Sequence, residues 1–559
     1  MSSPPREQPL FLPKVVSSLK NYSFSFFRSD LKAGIIVGIV ALPLAIAFSI
    51  ASGVPPACGL MASIAGGFLI SALGGSRVQI GGATGAYAVI IYKVMATQGF
   101  QGLMICAFLS GLMLVGMGLL RWGVFIKYIP YPLTVGFTAG IAVLIASSQV
   151  KEFLGLNTGA LPADFADKWV AYFRSLGTIN PSAVLLAGAS LAVLILWPKV
   201  SRRLPGSIVA VVLGTAAAAI FHLPVSTIGD GASLNLAGPG WFPPDASAVK
   251  QLISPALTIA FLGAIQSLLS ATVADGLIEG RHRPNTELVA QGITNMALPF
   301  FGGIPATGAI ARTLTNVKNG AKTPIAGIIH SLFLLAVVLV LGRWIARIPL
   351  AVLAAILMTV CYNMAEWRAF RTLLKAPRGD VAVLLVTFLL TVFVDVTVGV
   401  EVGVFMAFAL FVRRMSRAST IREVTGDGNG VDEDTLRSDK DSVSRRKIPE
   451  GVSVYEAEGA LFFGVAELLR DSLDLGQAPP KVLILRIRHV LALDATGLRA
   501  LRDLLEKCRK SGTHLILSGI HAQPMIAFEQ SGFLEEMGEE NVVGTIDEAL
   551  ARAKALLSA

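Results

Sequence analysis

The sequence predicts a multi-pass α-helical membrane domain followed by a small α/β domain, on three observations. Of its 559 residues 53% are hydrophobic and only 15% charged, and the mean hydropathy is +0.66. A soluble domain is usually about a quarter charged. From Asp30 to Val412 the apolar residues come in blocks of roughly 15–22, the length that crosses a hydrocarbon core of ~30 Å. Beyond Arg413 the blocks stop and charge becomes dense. The chain therefore divides into an N-terminal cytoplasmic segment (1–30), a transmembrane domain (31–412), a charged linker (413–448) and a cytoplasmic domain (449–559).

The membrane part reads as about fourteen segments, several of them short. They are 31–50, 59–73, 83–94, 102–120, 131–150, 182–197, 206–221, 255–276, 288–301, 306–316, 324–341, 350–363, 381–394 and 396–412. With the N-terminus inside, the inner loops carry Arg121 and Lys127, then Lys199, Arg202 and Arg203, then Arg281 and Arg283. Lys318 and Lys322, the group Arg368, Arg371, Lys375 and Arg378, and finally Arg413, Arg414 and Arg417 follow on the same side. The long outer loops 151–181 and 222–254 have little net charge, and Arg343 and Arg347 are the exceptions. This is the positive-inside pattern, and it predicts a multi-pass protein of the cell inner (plasma) membrane with both termini cytoplasmic.

Two of the short segments open on the same tetrapeptide, Ala83-Thr84-Gly85-Ala86 and Ala306-Thr307-Gly308-Ala309. Each follows a glycine-rich approach, Gly74 to Gly82 in one case and Phe301 to Pro305 in the other. A helix of ten to twelve residues spans only ~15–18 Å, so each reads as an extended entry that becomes helical near the midplane. In this topology the two run in opposite senses, the mark of an inverted-repeat transporter with its site at the repeat interface. Their amino ends carry partial positive charge and free N–H donors, which suit an anion. Thr84 and Thr307 either add hydroxyl donors or cap the helices, and chance packing of small residues is the bland alternative. Arg312 lies within the second half-helix, where a buried charge is costly and usually functional; its counterpart at the same offset is Val89. A guanidinium ~8 Å from an anion contributes about 2 kcal/mol at an effective dielectric of 20. The alternative is that Arg312 snorkels to the surface or pairs with an acid.

Other chemistries find little support. Met1 to Asp30 lacks a signal-peptide pattern and reads as a lead-in. Cys58, Cys106, Cys361 and Cys508 and the six histidines have no metal-type spacing and no disulfide framework. No phosphate-cradling Lys-Ser/Thr loop is present, so ATP is not expected to drive transport directly within this chain; no metal or cofactor is expected, and the chain is not read as an enzyme. The net charge of +10 belongs to inner loops rather than to a nucleic-acid surface.

Several stretches resemble the sulfate permease family, bacterial relatives of the mammalian multifunctional anion exchangers. They are 34–53 with its Ala-Leu-Pro centre, Gln79-Ile-Gly-Gly-Ala-Thr-Gly-Ala86, Gln291-Gly-Ile-Thr-Asn295 and 302–312. The resemblance implies two inverted seven-segment repeats, the uracil-permease-like core and gate, an elevator-like movement of the core, and a homodimer. It also marks a departure. Bacterial members commonly carry an acid, associated with proton or sodium coupling, where this chain has Gln266. An amide does not titrate, so Gln266 either lines the site as a hydrogen-bonding group or is a polar contact between helices.

After 449 the pattern turns to alternating short elements: strands at 452–455, 460–463, 482–487 and 514–517, helices at 465–473, 496–510, 523–531 and 546–557. The turn Leu493-Asp-Ala-Thr-Gly-Leu498 resembles that of the STAS domain, which sulfate transporters share with anti-sigma-factor antagonists. In some antagonists the hydroxyl at the position of Thr496 is phosphorylated; the plainer reading is that Asp494 and Thr496 cap the helix. A cytoplasmic partner through this domain is implied.

The expected function is a secondary transporter of small anions of the sulfate or bicarbonate class. A C4-dicarboxylate carrier, a channel-like mode and a STAS-linked anion sensor stay open as alternatives.

Overall fold

In hydrocarbon every backbone polar group needs an internal partner, so an apolar chain of this length crosses the membrane as helices. The computed structural model describes residues 11–558 apart from 21, 125–129, 160, 163, 202–204, 232–245, 419, 425–442, 444–445 and 462–478. Lys127, Arg202, Arg203, most of the expected linker with its 426–430 glycine run, and the expected helix 465–473 lie outside the described residues. The chain forms two compact units, Met1–Ala407 and Phe408–Ala559.

Helices stand in the first unit at all fourteen predicted segments, and among the described residues nine are long and apolar enough to cross a membrane. The third and fourth segments meet without a loop in Gly85–Leu119, interrupted at Gly99 with φ 66° and ψ −171°. That conformation is open to glycine and strained for other residues.

Contacts sort the helices into two groups. In the first, Phe24–Ala51 packs on Ile325–Ile345, and Gly85–Leu119 packs on Ala246–Ile278 and Pro284–Ala297, with Pro56–Leu73 and Ile310–Lys318 against them. In the second, Tyr131–Ser148 packs on Arg378–Phe393 and Leu350–Met364, and Pro181–Val200 packs on Leu350–Met364 and Gly206–Ile220. The two interrupted helices both belong to the first group.

Their approaches join in a two-stranded ribbon. Strand β1 (Gly81–Gly82) pairs antiparallel with β2 (Thr307–Gly308), in the register Gly81 to Gly308 and Gly82 to Thr307. Ala309 N donates to Ile80 O (2.8 Å) and Asn316 Nδ2 to Val78 O (2.8 Å), so the extended backbone finds partners inside the helical packing. The antiparallel pairing makes the two chains enter their helices in opposite senses. It also corrects one expectation: the tetrapeptides are not equivalent. Thr84 is the last extended residue before its helix, whereas Thr307 lies in the strand and its helix begins only at Ile310. The helix of the second repeat is accordingly Ile310–Lys318 rather than 306–316, about 14 Å long.

The second unit holds a five-stranded sheet, β3 (Thr420–Glu423), β4 (Val452–Leu461), β5 (Val482–Leu493), β6 (His514–Ser518) and β7 (Val542–Val543), in that order. β3 runs antiparallel to β4 and the remaining pairs are parallel. Leu483, Leu485 and Ile487 enter one core with Leu501, Phe528 and Phe533, while Val482 and Ile484 enter another with Ile546 and Leu550. This period-two division buries both faces, as a parallel sheet requires. The expected strand 452–455 and residues 460–461 of the expected strand 460–463 belong to one strand, β4, with register shifts along it, and 462–463 lie outside the described residues. β3 falls where linker was expected, and β7 and the short helix Phe533–Met537 were not anticipated.

Candidate functional site

The ribbon places the start of Gly85–Leu119 beside the start of Ile310–Lys318, and Arg312 spans the junction. Its side chain is 2% exposed. Nη2 donates to Ala83 O at 2.8 Å and Nη1 to Ser63 Oγ at 3.2 Å. Ser63 sits in Ala62–Gly66, a turn of π-helix, a local widening often found at functional sites. No described carboxylate pairs with Arg312. The arginine therefore neither snorkels to the surface nor joins an ion pair; it reaches from one repeat to the carbonyl that precedes the helix of the other.

Two glycines of the ribbon make room, one for Arg312 and one for Gln79. Gly82 has φ +146°, and a Cβ there would lie 2.5 Å from Arg312 Nη1. A Cβ on Gly308 would lie 2.0 Å from Gln79 Nε2. Both positions need glycine for close approach, and Gly82 needs it for its backbone as well.

The predicted site residues divide by what their polar groups already do. Thr84 is buried, its backbone is extended at φ −131°, and its hydroxyl has no partner among the described residues and makes no cap. The N–H groups of Gly85 and Ala86 meet no described acceptor, nor do those of Ile310, Ala311 and Arg312 at the other helix start. Ala309 and Ile310 are half-buried and Ala311 is exposed, so this start is not sealed by the protein. Ala306, Thr307 and Ala309 differ from the expectation. Ala306 N donates to Asn295 Oδ1 (2.8 Å), Thr307 Oγ1 to Gly263 O (3.1 Å), and Ala309 N to Ile80 O. With Gly308 in the ribbon, these residues brace the site, since their donors are engaged by the protein. Gln266 is half-buried and makes no hydrogen bond to a described residue. Thr496 stands apart in the second unit: Asp494 Oδ1 alone caps Ala495–Lys510, accepting from Gly497 N at 2.8 Å.

One residue near the site escaped the sequence reading. Glu287, fully buried, accepts from Gly75 N (2.8 Å) and Ser76 N (3.2 Å) on one oxygen. The other accepts from Gln79 Nε2 (3.1 Å), Ser267 Oγ (3.0 Å) and Gln291 Nε2 (3.1 Å). Five donors on one carboxylate fix the glycine approach, Gln79 and the helix carrying Gln266 relative to one another. The usable signal was an ionisable residue at the edge of an apolar segment.

Comparison with known proteins agrees with this architecture. The model of the sulfate permease family matches residues 27–387, and that of the STAS domain matches 445–549. The chain is 39% identical over 534 residues to YvdB of Bacillus subtilis (strain 168), named as a candidate sulfate transporter, covering 95% of this chain and 98% of that protein. It is 28% identical to the bicarbonate transporter BicA of Picosynechococcus, covering 95% of each. The murine Solute Carrier 26 family member A9 anion transporter in the inward-facing state has the same fold, with a TM-score of 0.86 at 20% identity over 99% of this chain and 97% of that one. These relatives are transporters rather than enzymes. The chain belongs to the sulfate permease family, as a multi-pass membrane protein with a STAS domain after its membrane helices.

Proposed function

We propose that this protein is a secondary transporter that moves a small inorganic anion of the sulfate or bicarbonate class by alternating access. The anion sits between the start of Gly85–Leu119 and the start of Ile310–Lys318, facing Thr84, the N–H groups of Gly85 and Ala86, and Arg312. The observation that carries this reading is Arg312, a buried cation without a described carboxylate, aimed at the junction of two helix N-termini. Two partial positive ends and one guanidinium favour an anion and disfavour a cation. The sulfate and bicarbonate classes come from the names of YvdB and BicA. Ala306, Thr307, Gly308 and Ala309 hold the site's shape, and Gln266 offers it a neutral amide. The segment ahead of Phe24–Ala51 and the domain 449–559 lie in the cytoplasm by the charge bias of the loops, and the homodimer and STAS partner are part of the same proposal.

Reconstitution tests it. Proteoliposomes are expected to take up labelled sulfate or bicarbonate, with little acceleration by an inward proton gradient because Gln266 does not titrate. Absence of uptake across an anion panel would sink the reading, and strong proton acceleration would sink the part that rests on Gln266.

A further inference from the structure

Two hydrogen bonds fasten residues 12–14, ahead of the first membrane helix, to the rest of the first unit. Lys14 N donates to Gly74 O (2.9 Å), and Arg283 Nη1 donates to Leu12 O (2.7 Å). They set the short helix Lys14–Leu19 beside the loop that carries Arg77. Between them lies a pocket of about 260 Å³ lined by Lys14, Ser17, Ser18, Phe26, Arg77 and Thr323. Arg77 and Phe26 also line an adjoining pocket of about 410 Å³, with Lys322 and Glu279.

Neither the Lys14 ammonium nor the Arg77 guanidinium bonds to any described residue, and no described carboxylate stands within ion-pair distance of either. Of the acids nearby, Asp30 and Asp275 are committed elsewhere, and Glu279 lines the adjoining pocket but not this one. Asp30 accepts from Lys322 N, Thr323 N, Thr323 Oγ1 and Tyr22 Oη, and Asp275 holds His282. Partial burial lowers the Lys14 ammonium from its ordinary pKa, and the Arg283 and Arg77 cations lower it further, against an opposing pull from Asp275. Like charges gathered around a polar pocket call for an anion.

The surroundings of the pocket are apolar and bare. Phe24 is 74% exposed and stacks on Phe27 at 6.2 Å, and Val16 and Leu19 are exposed on the short helix. In a chain that enters the bilayer at Phe24–Ala51, such side chains belong among acyl chains at the interface. A ligand with one end anionic and the other apolar matches both halves of this surface. We propose that Lys14 and Arg77, assisted by the Ser18 hydroxyl, hold the phosphate of an anionic glycerophospholipid whose acyl chains lie along Phe24 and Phe27.

The test uses the full-length protein, delipidated in detergent and titrated with phosphatidylglycerol or phosphatidylcholine. Melting temperature and native mass spectrometry give the readouts. The wild type is expected to retain phosphatidylglycerol preferentially and to be stabilised by it. The Lys14→Gln/Arg77→Gln variant is expected to need about tenfold more of that lipid for the same stabilisation, with the phosphatidylcholine response unchanged and Arg77→Lys close to wild type. Should the double variant fail to fold, Lys14→Gln alone, a change on the short surface helix, is expected to show a smaller loss of the same kind. An undiminished preference for phosphatidylglycerol in the variants overturns the site. Stabilisation of the wild type by inorganic phosphate alone, equal to that by the lipid and lost in the variants, overturns the lipid as occupant in favour of a free phosphate.

Discussion

Lys93 forms an ion pair with Asp395, and the pair ties the first helix group to the second. Lys93 stands eight residues into Gly85–Leu119, and Asp395 separates the last two membrane helices, Arg378–Phe393 and Val396–Ala418. The other Asp395 oxygen caps the second of these, accepting from Thr397 N at 2.7 Å. A pocket of about 320 Å³, lined by Lys93, Gln98, Gln251 and Asp395 among others, lies against the pair. The proposed alternating access moves the two groups against each other, and on that reading this contact breaks or rearranges in one of the states.

Lys93→Gln is therefore expected to favour the state in which this pocket is open. Lys93 is more than half exposed, which limits the pair to about 0.3–1 kcal/mol and the shift to roughly two- to fivefold. A cysteine placed at Thr97, on the pocket wall, reads the shift through its thiol-labelling rate. The four native cysteines are buried and contribute little background. An unchanged rate would make the pair passive.

Removal of the charge at the site is the direct test of Arg312. With ~2 kcal/mol from a guanidinium at ~8 Å, Arg312→Gln is expected to weaken the apparent affinity for the transported anion by at least tenfold, read from the concentration dependence of uptake. Arg312→Lys keeps the charge and loses the two-pronged contact with Ala83 and Ser63, so it should fall between. Because those contacts also brace the ribbon, melting temperature must be measured beside uptake. A drop in stability with unaltered affinity would make Arg312 a structural residue.

Glu287→Ala leaves five buried donors without their acceptor. Each unsatisfied group costs about 1–3 kcal/mol before relaxation or water entry, so a large fall in melting temperature and in the yield of folded protein is expected. Glu287→Gln retains one acceptor oxygen and turns the other edge into a donor that faces donors; it should be intermediate. Melting of both variants at wild-type temperature would show that water or rearranged partners satisfy the cluster.

The positions of the long segments were legible because hydrophobic length alone sets them. The interrupted helices were legible too, from glycine and a repeated tetrapeptide. Their register was not: a ribbon two residues long has no hydrophobic period, and nothing local tells Thr84, before a helix, from Thr307, inside a strand. Glu287 was hidden at the edge of the segment taken to begin at Leu288, and its partner Gln79 lies 208 residues away. Gln266 stood out as a departure from its relatives, yet the neighbouring Ser267 is the residue that enters the buried network. In the second unit, Thr420–Glu423 gave no alternating pattern, since this edge strand is mostly exposed.

The STAS helix Ala495–Lys510 separates capping from regulation. Asp494 satisfies the N–H of Gly497, and Thr496, one residue inside the first turn, bonds to nothing described. Asp494→Ala should cost ~1 kcal/mol of helix stability. Thr496→Ala should cost less than about 0.5 kcal/mol and leave basal anion uptake unchanged. A negative charge at 496 meets the positive end of the helix, so Thr496→Glu should stabilise it by about 0.3–1 kcal/mol. Hydrogen exchange of the helix amides in the full-length protein reads all three, with Asp494→Ala exchanging about fivefold faster and Thr496→Glu slower than wild type. Faster exchange in Thr496→Ala, matching Asp494→Ala, would return Thr496 to a capping role. Slower exchange in Thr496→Glu would show that the turn accommodates an added negative charge at this position without unfolding.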